Sequence, residues 1–143
     1  MIVENGNLYI NANILNNVNS SWSFIVRNGN IIIKEDVTSI AGIFVALPDS
    51  VGQNGRVLTT NGLLDAAGKC VTNSTQNILK IYGTLYGNAT HLIACHTYIR
   101  ANVGYDTVTT GIILNYSSRA LRNPPPLLSR FLGQYNVSKV VIQ

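Results

Sequence analysis

No apolar run in this chain reaches the 18 or so residues of a membrane-spanning helix, so no transmembrane segment is expected. Charge is scarce too: 11% of the residues are charged, against about a quarter in ordinary globular chains, while 46% are apolar. A chain this apolar is not disordered. A surface so poor in charge must be made of Asn, Thr, Ser and Gly, which suits an extracellular or self-associating protein better than a cytosolic enzyme. Ten basic against six acidic residues leave a net charge of +4. The basic residues are scattered, only Arg119, Arg122 and Arg130 approach a cluster, and no aromatics alternate with them, so no nucleic-acid partner is expected.

Acids are few: Glu4, Glu35, Asp36, Asp49, Asp65 and Asp106. A solenoid that cleaves glycans needs paired acids, or acids beside Lys or Arg, along a groove. Only Glu35 and Asp36 are adjacent, in a segment that reads as a turn. Their counterparts one repeat earlier are Ala12 and Asn13, which also removes a repeating calcium loop. His91 and His96 are the only histidines. They lack a third ligand, and on a strand their odd spacing sends them to opposite faces, so no metal site is expected. Cys95 and His96, adjacent on a strand, point apart and cannot act as nucleophile and base. Neither a Walker nor a Rossmann pattern occurs, so no cofactor is expected and the chain does not read as an enzyme.

What is present is a repeat. Val26–Val37 reads VRNGNIIIKEDV, and Val3–Ile14, 23 residues earlier, reads VENGNLYINANI. Both share Val, then Asn-Gly-Asn, then large apolar residues, then a polar segment ending in Asn or Asp and a β-branched residue. A weaker echo, IYGTLYGNA, runs from Ile81 to Ala89. A period in the low twenties points to a solenoid whose units stack as successive coils. Asn and Gly both tolerate positive φ, so each Asn-Gly-Asn reads as a sharp corner before a short strand.

Along the chain, strands are expected at 8–10, at 22–27 with Trp22, Phe24 and Val26 on one face, at 31–33, at 43–47 and at 56–60. Three consecutive isoleucines at 31–33 require cover on both faces. Residues 48–55 read as a loop and 61–77 as an irregular excursion. Further strands are expected within 78–86, through 91–101 and across 107–116, with Gly111 as a bulge in the last. Pro124, Pro125 and Pro126 end the sheet, and Leu127, Leu128, Phe131, Leu132 and Tyr135 fall at helical spacing. A short amphipathic helix over 124–135 would cap the stack or serve in assembly.

Two cysteines, Cys70 and Cys95, lie 25 residues apart, close to the repeat period. On neighbouring coils they would be at disulfide distance; otherwise they are two buried thiols. Seven tyrosines offer sugar-binding platforms, and Tyr82 and Tyr86 are expected on one face; the alternative is half-buried rung residues whose hydroxyls reach water. Asn-x-Ser/Thr sequons start at Asn19, Asn73, Asn88, Asn115 and Asn136.

The set NGNIIIKEDV, IAGIFVALPD, GRVLTTNG, a cysteine, LKIYGTLYG and SSRALRNPPPLLSRFL resembles the C-terminal domain of large surface proteins of candidate phyla radiation bacteria. That domain is similar to the right-handed β-solenoid of bactofilins, the polymer-forming cytoskeletal proteins. The resemblance runs from about Asn5 to Leu132. It implies stacked β-coils, surface exposure and a structural or adhesive role, and it brings no catalytic residues.

The expectation is therefore one all-β domain over 1–143, a right-handed parallel β-solenoid with a short C-terminal capping helix; the runner-up is an antiparallel β-sandwich. No signal peptide is legible after Met1, and the repeat begins almost at once, so the domain is expected to be cut from a longer protein. The expected function is a non-catalytic structural module of a cell-surface protein, self-associating into fibres or arrays. The alternative is a carbohydrate-binding adhesin module whose partners are surface glycans, and behind it a polysaccharide-degrading enzyme.

Overall fold

The computed structural model describes residues 1–15, 22–60, 62–71, 77–102 and 105–115. Strands dominate: β1 (Ile2–Glu4), β2 (Leu8–Ile10), β3 (Ser23–Arg27), β4 (Ile31–Ile33), β5 (Ser39–Leu47), β6 (Val57–Thr59) and β7 (Leu79–Tyr86) precede one helix, α1 (Thr90–Cys95). After it come β8 (Thr97–Asn102), β9 (Tyr105–Thr110) and β10 (Ile112–Asn115). One parallel sheet has the order β1-β3-β5-β7-β10, a second the order β2-β4-β6. The chain passes from the first sheet to the second and back, so each of the first three laps adds one strand to each.

The two near copies in the sequence lie one on the other. Leu8 pairs with Ile31 and Ile31 with Val57; Val3 pairs with Val26 and Val26 with Ala46. Among the described strands only β8 and β9 pair antiparallel, beside one isolated antiparallel bridge between Leu64 and Cys70, which sets aside the antiparallel sandwich. The physical reason lies in the Asn-Gly-Asn corner. It turns the chain onto the next face of the coil instead of folding it back on the preceding strand.

Inward residues make the core. Val26, Ile31, Ile33, Ile40, Phe44, Val57, Leu79 and Ile81 are fully buried, and Phe24 stacks on Phe44 at 5.1 Å. Of the three isoleucines in β4 the outer two are buried and Ile32 half-buried, so both faces are covered as expected. At the corners Asn, not Gly, takes the left-handed conformation, with φ 55° at Asn5 and 53° at Asn28. The glycines serve close approach: a Cβ on Gly29 would lie 2.7 Å from the carbonyl carbon of Gly6 in the lap beneath.

Amide ladders tie the corners together. Asn28 Nδ2 donates to Asn5 Oδ1 at 3.0 Å, and the Asn30 N–H donates to Asn7 Oδ1 at 2.9 Å. The Arg56 N–H then donates to Asn30 Oδ1 at 3.0 Å. A second ladder has Asn13 Oδ1 accepting from the N–H groups of Thr38 and Ser39. Each bond satisfies a corner polar group that strand pairing leaves over.

Four expectations need correction. Residues 91–101 are not one strand: α1 fills the first half and packs over β6. Leu92 and Cys95, three apart, fall on one helical face and are both buried, so burying that stripe over the sheet edge outweighs the alternating pattern. Residues 107–115 are not one strand either, and residue 116 lies outside the described residues. Gly111 is no bulge but the junction where β9, paired with β8, gives way to β10, paired with β7. Trp22 lies one residue before β3 and is exposed, outside the strand expected to include it. The weak echo at 81–89 matches its predecessors only as far as its corner, since α1 replaces a fourth strand of the second sheet. The helix expected over 124–135, with Leu127, Leu128, Phe131 and Leu132, lies outside the described residues.

Candidate functional site

A concavity among the described residues arises from a mismatch between corners. In the second lap a single residue, Asn28, separates Arg27 from Gly29. In the third lap, where Leu47 pairs with Arg27 and the Gly55 N–H donates to the Gly29 carbonyl, residues 48–54 fill that place. The excursion is held by Asp49, whose Oδ1 accepts from the N–H groups of Val51 and Gln53 and whose Oδ2 accepts from Asn54 Nδ2 at 2.9 Å. Gly52, at φ 73°, closes the turn. The same Asp-x-x-Gly device closes the loop from Asp65 to Gly68.

In the fourth lap the corner is short. Tyr86 pairs with Val45, and two residues later Asn88 already bridges to Arg56. Strand pairing with β7 therefore stops at Val45, and beyond it only Gly87 lies against Ala46. The long corner beside the short one leaves an open cleft of about 590 Å³. Ala46, Gly55 and Gly87 floor it, and Pro48 and Leu85 form apolar walls. Tyr86, Arg56 and Asn88 stand at its rim, all three exposed.

These rim groups are chemically available. The two ion pairs among the described residues join Arg27 to Glu4 at 3.2 Å and Lys34 to Asp36 at 2.7 Å. The Arg56 guanidinium has no hydrogen-bond or ion-pair partner among the described residues. Asn88 Oδ1 accepts from the Thr90 N–H at 3.1 Å, which leaves its Nδ2 as a donor. Tyr86 is 61% exposed. A planar cation, an amide donor and an aromatic face thus converge on one opening, with no acid among its lining residues.

The residues singled out in the sequence distribute as follows. Tyr82 and Tyr86 are both exposed on β7, but Gly83, at φ 147°, lies between them and only Tyr86 lines the cleft. Cys70 and Cys95 form a disulfide with Cα atoms 5.1 Å apart. They are not on neighbouring coils of one sheet: Cys95 ends α1, and Cys70 closes the 62–71 loop through a bridge to Leu64. The bond staples that loop to the helix. Glu35 and Asp36 occupy the turn after β4, where the hydrogen bond from Lys34 holds the Asp36 carboxyl below the usual carboxylate range.

His91 accepts the Thr59 N–H on Nδ1 at 3.4 Å, and its Nε2 lies 3.0 Å from the Gly62 carbonyl, so the ring ties α1 to β6. His96 is fully buried, and neither ring nitrogen has a hydrogen-bond partner among the described residues. Burial, the larger cause, pushes its pKa down, and the Asn77 main chain acts the other way. No group of three His, Cys, Asp or Glu is placed to hold a metal among the described residues, and no described helix is long and apolar enough to cross a membrane. Arg119, Arg122 and Arg130 lie outside the described residues.

Arg56, Asn54 and Asn88 escape a reading for catalytic constellations, because none belongs to one. Their signal is the unequal corner: PDSVGQNG stands where the earlier laps have one residue before Gly, and its Asp-x-x-Gly marks an ordered loop. No family model, curated protein or solved structure matches this chain.

Proposed function

We propose that this chain is a non-catalytic structural module of a cell-surface protein, a right-handed β-solenoid that self-associates through its first lap. The right hand follows from the near-universal sense of parallel crossover connections. The surface location is supported by the disulfide, a bond that persists in oxidising compartments, and by the low charge. The scaffold reading is supported by the polar side chains of the corners, which are occupied in ladders between laps.

One observation carries self-association: among the described residues no strand is paired to the outer side of β1 and β2. Val3, Leu8 and Ile14 are only half-buried, while their rung partners Val26, Ile31 and Ile40 are fully buried. The Leu8 N–H donates to Asn30 and the Ile10 carbonyl accepts from Lys34, so alternation turns the main chain of Tyr9 to the open side. Ile2 and Glu4 are turned the same way in β1, because Met1 and Asn5 bond to β3. Unpaired edges of this kind recruit another strand. The occupant that fits is a second copy, whose first lap carries the same rungs and amides.

Light scattering after size exclusion, with negative-stain microscopy, tests this. Dimers or longer assemblies are expected as concentration rises. Tyr9→Pro removes one outward donor and no internal ladder bond, so it should shift the protein to monomer with little change in Tm. A strict monomer at high concentration, without fibres, refutes the reading.

A further inference from the structure

We propose that the cleft between the long third corner and the short fourth corner binds an acidic sugar, a uronate unit of an extracellular polysaccharide. This goes beyond the scaffold reading and does not rest on it. Arg56 is an exposed cation whose guanidinium has no partner among the described residues, and its planar fork matches a carboxylate in two parallel hydrogen bonds. Asn88 offers an amide donor on the same rim, suited to a ring hydroxyl.

Tyr86 supplies the third element. Its exposed ring presents a flat apolar face on which the C–H face of a pyranose can rest, with the phenol oxygen at the water side. The floor is free of side-chain bulk at Gly55 and Gly87. A Cβ on Gly87 would lie 3.1 Å from the Gly55 carbonyl oxygen, so this corner keeps its low floor for the sake of the stack.

The shape of the cleft favours a sugar over a small anion. An isolated phosphate or carboxylate would use the polar groups Arg56 and Asn88 and leave Tyr86, Pro48 and Leu85 uncovered. A flat ring carrying one carboxylate uses the cation, the amide and the aromatic face together. Neutral sugars would leave the guanidinium without a counter-charge. The two ends of the cleft are held differently. Asn54 is braced by Asp49 and by Asn30, whose Nδ2 donates to Asn54 Oδ1 at 3.3 Å, so the excursion is ordered before any ligand arrives. Asn88 is fixed by its main-chain bonds to Gly55 and Val57. Little ordering remains to oppose binding.

Isothermal titration of the whole chain with trigalacturonate, with maltotriose and with sodium phosphate tests this. Trigalacturonate should bind at least 10-fold more tightly than either of the others. Arg56→Gln should weaken trigalacturonate at least about 10-fold, the loss expected for a charge-assisted bidentate pair. Tyr86→Ala should weaken it several-fold, and Tyr82→Ala should leave it unchanged. Melting curves within a few degrees of wild type establish that each variant is folded. No binding of trigalacturonate overturns the proposal, as does equal binding of maltotriose. Phosphate binding as tightly as trigalacturonate reduces the cleft to an anion site, and indifference to Tyr86→Ala removes the sugar face; either result also overturns it.

Discussion

Gly29→Ala and Gly6→Ala place the same change in the same Asn-Gly-Asn corner, yet they should differ by several kcal/mol. Neither glycine lies in the left-handed region, so alanine strains neither backbone. The difference is steric. At Gly29 the new Cβ would sit 2.7 Å from the Gly6 carbonyl carbon, nearer still to its oxygen, and 3.1 Å from Val26 Cγ1. These obstacles are mostly main chain, so relief requires the laps to part. Overpacking of that kind costs about 1–3 kcal/mol.

Parting the laps also strains the bonds on either side, from the Asn5 N–H to Arg27 and from the Leu8 N–H to Asn30, each 2.9 Å. At about 1 kcal/mol per bond lost, added to the overpacking cost, the total reaches about 3–5 kcal/mol. For a chain of this size that corresponds to a fall in Tm of about 10–15 °C. At Gly6 the nearest atoms are Val3 Cγ1 at 3.8 Å and the Glu4 carbonyl at 3.9 Å, which is ordinary contact. Gly6→Ala should be neutral or stabilise by about 0.4–1 kcal/mol through the unfolded chain. Urea unfolding followed by circular dichroism at micromolar concentration, with Tm alongside, measures both. Equal destabilisation by the two variants, or a Gly29→Ala loss under about 1 kcal/mol, would refute the stacked corner.

Other expectations follow from the same packing. Reducing the disulfide, or Cys70→Ala with Cys95→Ala, should cost about 3 kcal/mol for a closed loop of this length; calorimetry with and without reductant checks it, and an unchanged Tm counts against a stapling role. His96 is buried with its pKa lowered from 6.5, so the unfolded chain takes up its proton more readily than the folded one. Its contribution to stability is therefore complete above about pH 6.5 and is lost as pH falls from there toward the folded value. Tm should drop between pH 7.5 and 5.5, and His96→Phe should flatten that slope; an identical slope in the variant removes His96 as its cause. Phe44→Ala should cost about 3–5 kcal/mol, since the ring is fully buried against Phe24; a loss below about 1 kcal/mol in urea unfolding would contradict that packing.

Much of the coil was legible before any coordinates. Two Asn-Gly-Asn corners 23 residues apart, each followed by inward-facing Leu, Ile or Tyr-flanked apolar positions, predict strands in register, and Leu8 does pair with Ile31. The repeat signal is local, because each lap makes the same bend from the same residues. It fails where a lap stops resembling its predecessor. HLIAC alternates well enough to read as a strand, but its place over the uncovered edge of β6 favours a helix that buries Leu92 and Cys95 together. The cleft was illegible for a related reason. Arg56 and Asn88 are remote in sequence and meet only because one corner is long and the next is short.

The amino-acid sequence by itself determined the lap: where the chain bends, which residues face inward, and that successive laps match. Those are properties of neighbours along the chain, set by backbone preference and by the alternation of apolar side chains. Only the tertiary structure decided that a helix closes the second sheet, that Cys70 reaches Cys95 from a loop, and that Tyr86 and not Tyr82 borders a cleft. Each of those depends on which groups are left uncovered once the laps have stacked, a quantity that no stretch of sequence carries alone.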